Sequence, residues 1–175
     1  PCDYNQTVAA TIAAARMNGP VYLRFGRPGV PNFTPADQTF EIGKALKMTE
    51  GEDISIFATG HLVWEALEAA KALEEKGIKA EVIDIHTIKP LDKKAVIESV
   101  AKTGAAVCAE EHLIAGGLGE AIAGLLAAEH PAPLEYVAIN DCFGQSGTPK
   151  ELMKAYGLDA AHIVIAAEKA MARKR

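Results

Sequence analysis

Asp53-Ile54-Ser55-Ile56-Phe57-Ala58-Thr59-Gly60, then His61 to Lys76, then Ala80-Glu81-Val82-Ile83-Asp84-Ile85 decides the fold. An apolar run rich in β-formers passes through a glycine turn into a helical pattern, and a second apolar run follows. Within about thirty residues this is the form of a right-handed βαβ crossover. In the helical part Leu62, Ala66, Ala69 and Leu73, flanked by Val63 and Ala70, make one apolar stripe. Glu68, Lys71, Glu75 and Lys79 read as solvated charge. Trp64 is expected to pack in the core or at its rim rather than face a partner.

The same alternation continues on both sides. A short edge strand is predicted over 45–48. Beyond the crossover follow helix 92–101, strand 105–109, helix 117–129, strand 134–138, helix 149–156 and a last helix over 159–173. This order predicts an α/β fold, a three-layer αβα arrangement with a mainly parallel sheet. Helix 117–129 is almost wholly Ala, Leu, Ile and Gly, which predicts burial on several sides, under a subunit interface or deep in the domain.

Upstream, Asp3 and Gln6 have the spacing of a capping box for a helix reaching about Met17. Asn18-Gly19-Pro20 ends that helix, and Val21 to Phe25 reads as a short strand. One helix and one strand cannot close a core. Residues 1–27 are therefore expected to be the last helix and strand of a preceding domain, and the chain a piece of a longer one. Pro28, Pro31 and Pro35 make 28–39 a semi-rigid linker. Residues 40–175 form the second domain.

Composition narrows the function classes. The chain has 175 residues, 49% of them hydrophobic and 23% charged, as in ordinary globular proteins. A net charge of −5 with no basic stripe argues against a nucleic-acid partner. No apolar stretch reaches the roughly 20 residues that cross a bilayer, so no membrane role is expected. Cys2, Cys108 and Cys142 are few and scattered, which fits reduced thiols in a cytoplasmic protein.

Several clusters carry possible chemistry. Arg24 and Arg27 leave the predicted strand 21–25, and strand exits are where ligands sit in open α/β sheets. Their planar forks suit a phosphate or carboxylate; the alternative is a surface ion pair or a clamp on a carbonyl. Gly116-Gly117-Leu118-Gly119 before a helix is either an anion cradle or a device for close helix–sheet packing, with packing favoured. Glu110-Glu111-His112 ends a strand. Alternating side chains keep these three from converging on one ion, so a cap or interface role is favoured over catalysis. Gly144-Gln145-Ser146-Gly147 falls one residue short of a nucleophile elbow. Asp141 and His162 therefore do not make a hydrolase, and Thr148-Pro149 starts a helix instead. His61 reads as a turn residue at a helix start.

These motifs, in this order, resemble the C-terminal part of the transketolases in the thiamine-diphosphate superfamily. Pro1 to Thr7, Tyr22-Leu23-Arg24-Phe25-Gly26-Arg27, Ala58-Thr59-Gly60 and the 80–92 segment carry the likeness. So do Glu110 to Gly119, Asp141 to Gly147 and Glu151 to Leu158. The compact Glu-Glu-His-x-x-x-Gly-Gly form is similar to the two-subunit bacterial and archaeal transketolases. Deoxyxylulose-phosphate synthase and the beta subunits of 2-oxo acid dehydrogenases are the alternative relatives. A non-catalytic interaction module and an anion-binding domain using Gly116–Gly119 stay open as other classes.

The resemblance implies transfer of a two-carbon ketol unit between sugar phosphates. It assigns 1–27 to the end of the pyrimidine-binding domain and 40–175 to the C-terminal domain. It gives Arg27, with Arg24 beside it, to the substrate phosphate. It places no catalytic, cofactor or metal residue in this chain: thiamine diphosphate and Mg2+ (or Ca2+) would be held by residues outside it. The implied partners are sugar phosphates, an upstream or separate diphosphate-binding part, and further copies in a homodimer or heterotetramer. The chain alone is expected to be inactive.

Overall fold

The computed structural model describes residues 1–174. Helix α1 (Tyr4–Arg16) leads, after a long irregular stretch, into β1 (Leu46–Lys47) and β2 (Ile54–Ala58). Then follow α2 (Leu62–Glu74), β3 (Ala80–Asp84), α3 (Lys93–Thr103), β4 (Ala106–Leu113), α4 (Leu118–Glu129), β5 (Leu134–Ile139), α5 (Pro149–Ala155) and α6 (Ala160–Met171). The sheet order is β1-β3-β2-β4-β5. Short β1 is antiparallel to β3, and the other neighbours are parallel. The predicted three-layer αβα fold is the observed one.

Strand alternation sorts the core into two faces. Ile54, Ile56 and Ala58 of β2 meet Leu62, Ala66, Ala69 and Leu73 of α2 and Ile163, Ala167 and Ala170 of α6. Phe57, between them in sequence, points the other way into Val96 and Val100 of α3 and Leu118, Ile122 and Leu126 of α4. Period two on the strands and period 3.6 on the helices thus close two apolar layers.

One polar cluster is sealed in the second layer. Ser55 Oγ lies 2.6 Å from both Ser99 Oγ and Thr103 Oγ1. Ser99 donates to Glu81 Oε2 at 2.5 Å, and Lys102 donates to Glu81 Oε1 at 2.6 Å. Burial works against the charge on Glu81, but the hydrogen bonds from Lys102, Ser99 and Lys47 outweigh it and hold the carboxyl below its usual range.

Four expectations need correction. Val21–Phe25 forms no strand, because no strand among the described residues lies alongside to complete a ladder. The capping box is half made: Asp3 accepts from Gln6 N at 2.8 Å, but the Gln6 side chain turns away. Its Oε1 accepts from Cys2 N and its Nε2 donates to buried Asp84 Oδ2 at 2.5 Å. Helix α4 is not deep in the domain: within the chain it is buried on one side, through Leu118, Gly119, Ile122, Leu125 and Leu126, and its small residues elsewhere lie at the chain's surface. Finally, the proline stretch is tied down: Asp3 accepts from Phe33 N, Thr34 N and Thr34 Oγ1, and Phe33 packs on Trp64 at 5.5 Å between ring centres. Trp64 is therefore a rim residue that pins the linker.

Candidate functional site at the carboxyl edge of the sheet

Chain order creates a crevice. From β2 the chain moves to β3 on one side, then returns through α3 to β4 on the other. The loops leaving β2 and β4 diverge there, and such switch points are where open α/β sheets bind ligands. A cavity of about 620 Å3 lies at this edge, lined by Arg24, Thr59, His86, Glu111 and His112 among others.

A distortion of β4 shapes the crevice. Ala109 pairs with Val137 but Leu113 pairs with Ile139, so Glu110, Glu111 and His112 of β4 stand opposite the single Ala138 of β5. Such a bulge re-aims side chains that regular alternation would send up and down. Glu110 turns inward and is 1% exposed. Its Oε2 and Oε1 accept from Leu118 N and Gly119 N, each at 2.8 Å. The free N–H groups at the start of α4 are thus satisfied by the chain's own carboxylate. A Cβ at Gly117 would run into that carboxylate, and one at Gly119 would lie 2.6 Å from Tyr136 Cδ1. The glycine run therefore serves packing and a cap, and the anion cradle is already filled.

Glu111 turns toward α2. Its Oε2 lies 3.1 Å from His61 Nδ1, and this contact is the main reason its carboxyl sits below the usual range. Arg24 donates to the Glu111 carbonyl from Nη1 and Nη2 at 3.4 and 3.3 Å, so Arg24 is a carbonyl clamp. Arg27 is exposed, and among the described residues it makes no hydrogen bond or ion pair. His61 is more than a turn residue, because Gly26 lies directly on its ring.

His86 was not singled out by sequence. It stacks on Phe40 at 4.0 Å, and burial lowers its pKa to about 4, so it lines the crevice as a neutral imidazole. No spacing signal pairs these two residues, which meet only through the tertiary fold.

The remaining candidates disperse. His162 Nδ1 is held by Asp159 Oδ1 at 2.6 Å, away from the exposed 140–148 loop. Thr148 and Glu151 form a complete capping box with Pro149 at the helix start, as the sequence reading expects. All three cysteines are free thiols, with Cys2 and Cys108 buried and Cys142 exposed. No group of three or more metal-ligating side chains occurs among the described residues, and no described helix is long and apolar enough to cross a membrane. With its one glycine-rich helix start filled by Glu110, the crevice does not fit a diphosphate with its metal. No cofactor chemistry is assigned to these residues.

Comparison with known proteins agrees with the architecture. The model of the family described as "Transketolase, C-terminal domain" matches residues 43–163. The 6-deoxy-6-sulfo-D-fructose transketolase subunit SqwH of Clostridium sp. (strain MSTE9) is 43% identical over 174 residues, 99% of this chain and 54% of that protein. 1-Deoxy-D-xylulose-5-phosphate synthase 1 of Geobacter sulfurreducens is 37% identical over 179 residues, 99% of this chain and 28% of that protein. The chain thus spans about half, or less, of the curated relatives it matches. A solved structure described as a split-gene transketolase, an inactive beta4 tetramer, superposes with a TM-score of 0.97 at 47% identity, covering 100% of this chain and 57% of that one. The chain belongs to the transketolase C-terminal domain family.

Proposed function

We propose that this chain is the C-terminal part of a two-part transketolase that moves a two-carbon ketol unit between sugar phosphates. The observation that carries the reading is 43% identity along nearly the whole chain to a transketolase subunit about twice its length. In this reading residues 1–27 end the pyrimidine-binding domain, 28–39 connect, and 40–175 are the C-terminal domain. Thiamine diphosphate and its Mg2+ stabilise the carbanion of the transferred unit, and residues outside this chain hold them. This chain binds and orients substrate and contributes to assembly with further copies and with the complementing part. By itself it is inactive.

Arg27 is the residue assigned to the anionic end of the substrate. Its guanidinium has no competing partner among the described residues, whereas Arg24 is committed to Glu111. A guanidinium fork matches two oxygens of a tetrahedral oxyanion, sulfonate as well as phosphate. The first relative's name carries a sulfo sugar, which fits the same chemistry.

The test is Arg27→Ala in the complete enzyme. KM for a phosphorylated aldose is expected to rise about tenfold to a hundredfold, the loss of one charge-assisted contact, with kcat nearly kept. Unchanged KM removes the assignment. The synthase relative supports one second reading: formation of 1-deoxy-D-xylulose 5-phosphate, and no transfer from a ketose donor, would establish that activity instead.

A further inference from the structure

Residues 18–31 carry both arginines, and little holds this strap in place. Among the described residues no backbone–backbone hydrogen bond reaches it. Its only hydrogen bonds among the described residues are those of Arg24 to the Glu111 carbonyl. Its close seat is the His61 ring, on which Gly26 lies so tightly that a Cβ would overlap Cε1 and Nε2.

The ring beneath Gly26 is itself fixed. His61 Nδ1 faces Glu111 Oε2 at 3.1 Å. This contact is the main cause that holds the Glu111 carboxyl below its usual range. Glu111 therefore engages the strap twice, directly through its carbonyl and indirectly through His61 and Gly26. The bulge in β4 is what presents both groups to the strap.

We infer that His61 and Glu111 are positioning residues for the arginine strap and set where Arg27 meets the anionic end of the sugar substrate. The inference rests on the phosphate-binding reading of Arg27. Neither residue needs to touch substrate. An arginine keeps its charge on a loosened strap but loses the alignment that two-point recognition demands. The loss falls on binding the anionic end, in ground and transition state alike, so it appears in KM rather than kcat.

The experiment is a variant cycle in the complete enzyme, with a phosphorylated aldose and unphosphorylated glycolaldehyde as acceptors. His61→Ala is expected to raise KM for the phosphorylated acceptor about tenfold, with kcat and the glycolaldehyde KM within about twofold. His61→Asn, whose amide N–H reaches the place of Nδ1, recovers part of the affinity. In an Arg27→Ala background, His61→Ala adds nothing, because the two act through one contact. If His61→Ala leaves the phosphorylated KM unchanged while Arg27→Ala raises it, the positioning role is overturned and the phosphate reading stands. Equal losses with both acceptors, or additive effects in the double variant, also overturn it. An Arg27→Ala enzyme unaffected with either acceptor overturns both.

Discussion

Residues 40–175 and residues 1–39 are held by different physics. The first region closes over two apolar layers in which Phe57, Leu62, Leu73 and Ile122 are fully buried. The second attaches mainly through directed polar contacts, Asp3 to Phe33 and Thr34, Asn5 to the Thr34 carbonyl at 2.5 Å, and Gln6 to Asp84, with Cys2 and Phe33 as its apolar anchors on the core. Along α1, meanwhile, Tyr4, Val8 and Ile12 remain 72%, 41% and 47% exposed at helical spacing. Apolar burial is non-directional and supplies most of the stability. Hydrogen bonds contribute less net energy but fix orientation. The arm that bears Arg24 and Arg27 is thus aligned rather than welded.

The largest effect should come from breaking the apolar side. Phe57→Ala is expected to cost about 3–5 kcal/mol of unfolding free energy in denaturant titration. A loss below about 1 kcal/mol would mean that the layers repack freely.

The polar side should give a smaller and more local loss. Burial alone would raise the Asp3 carboxyl, yet bonds from Gln6, Thr34 and Phe33 hold it below the usual range. Asp3→Ala removes the N-cap and the linker anchors together, about 2 kcal/mol. Hydrogen exchange should speed up in α1 while the β2 amides stay protected. Equal acceleration in both would show one cooperative unit and erase the contrast.

Two carboxylates on β3 sharpen the comparison through pH. Glu81 sits inside the domain with its folded pKa depressed, so its stabilisation is present above its ordinary 4.5 and is lost as pH falls through the lower folded value. Glu81→Gln should lower stability at pH 7 by about 1–2 kcal/mol and flatten the acid limb of the stability curve. Asp84 faces the arm, and its Oδ1 has no partner among the described residues. Burial raises its pKa from 3.8 to about 6. Its contribution is therefore full below 3.8 and fades as pH rises through about 6, the opposite sign. Asp84→Asn should consequently raise stability at pH 8 and change little at pH 4. A drop at pH 8 would show that the charged form is stabilised by the fold.

Much of this was legible in the sequence, for physical reasons. Periods of two and 3.6 residues are local, so the alternation from Ile54 to Met171 follows from the chain itself. Caps such as Thr148–Glu151 are local too. What escaped depends on contacts distant in sequence. Val21–Phe25 has strand composition, but a strand needs a neighbour to pair with. The bulge at Glu110–His112 depends on register with β5, which no local pattern of β4 shows. The Gly26–His61 and Phe40–His86 contacts join segments no short-range pattern connects. The cap role favoured for the Glu110–His112 cluster was legible, because a carboxylate ending a strand shortly before a glycine-rich helix start is poised to cap that helix, as Glu110 does.

The most direct test of the central claim is a ketol-transfer assay with xylulose 5-phosphate, ribose 5-phosphate, thiamine diphosphate and Mg2+. It is run on residues 1–175 alone and on the same residues within the complete enzyme or with the complementing subunit. The account predicts turnover only in the complete form. Turnover by residues 1–175 alone, or none in the complete form, would contradict it.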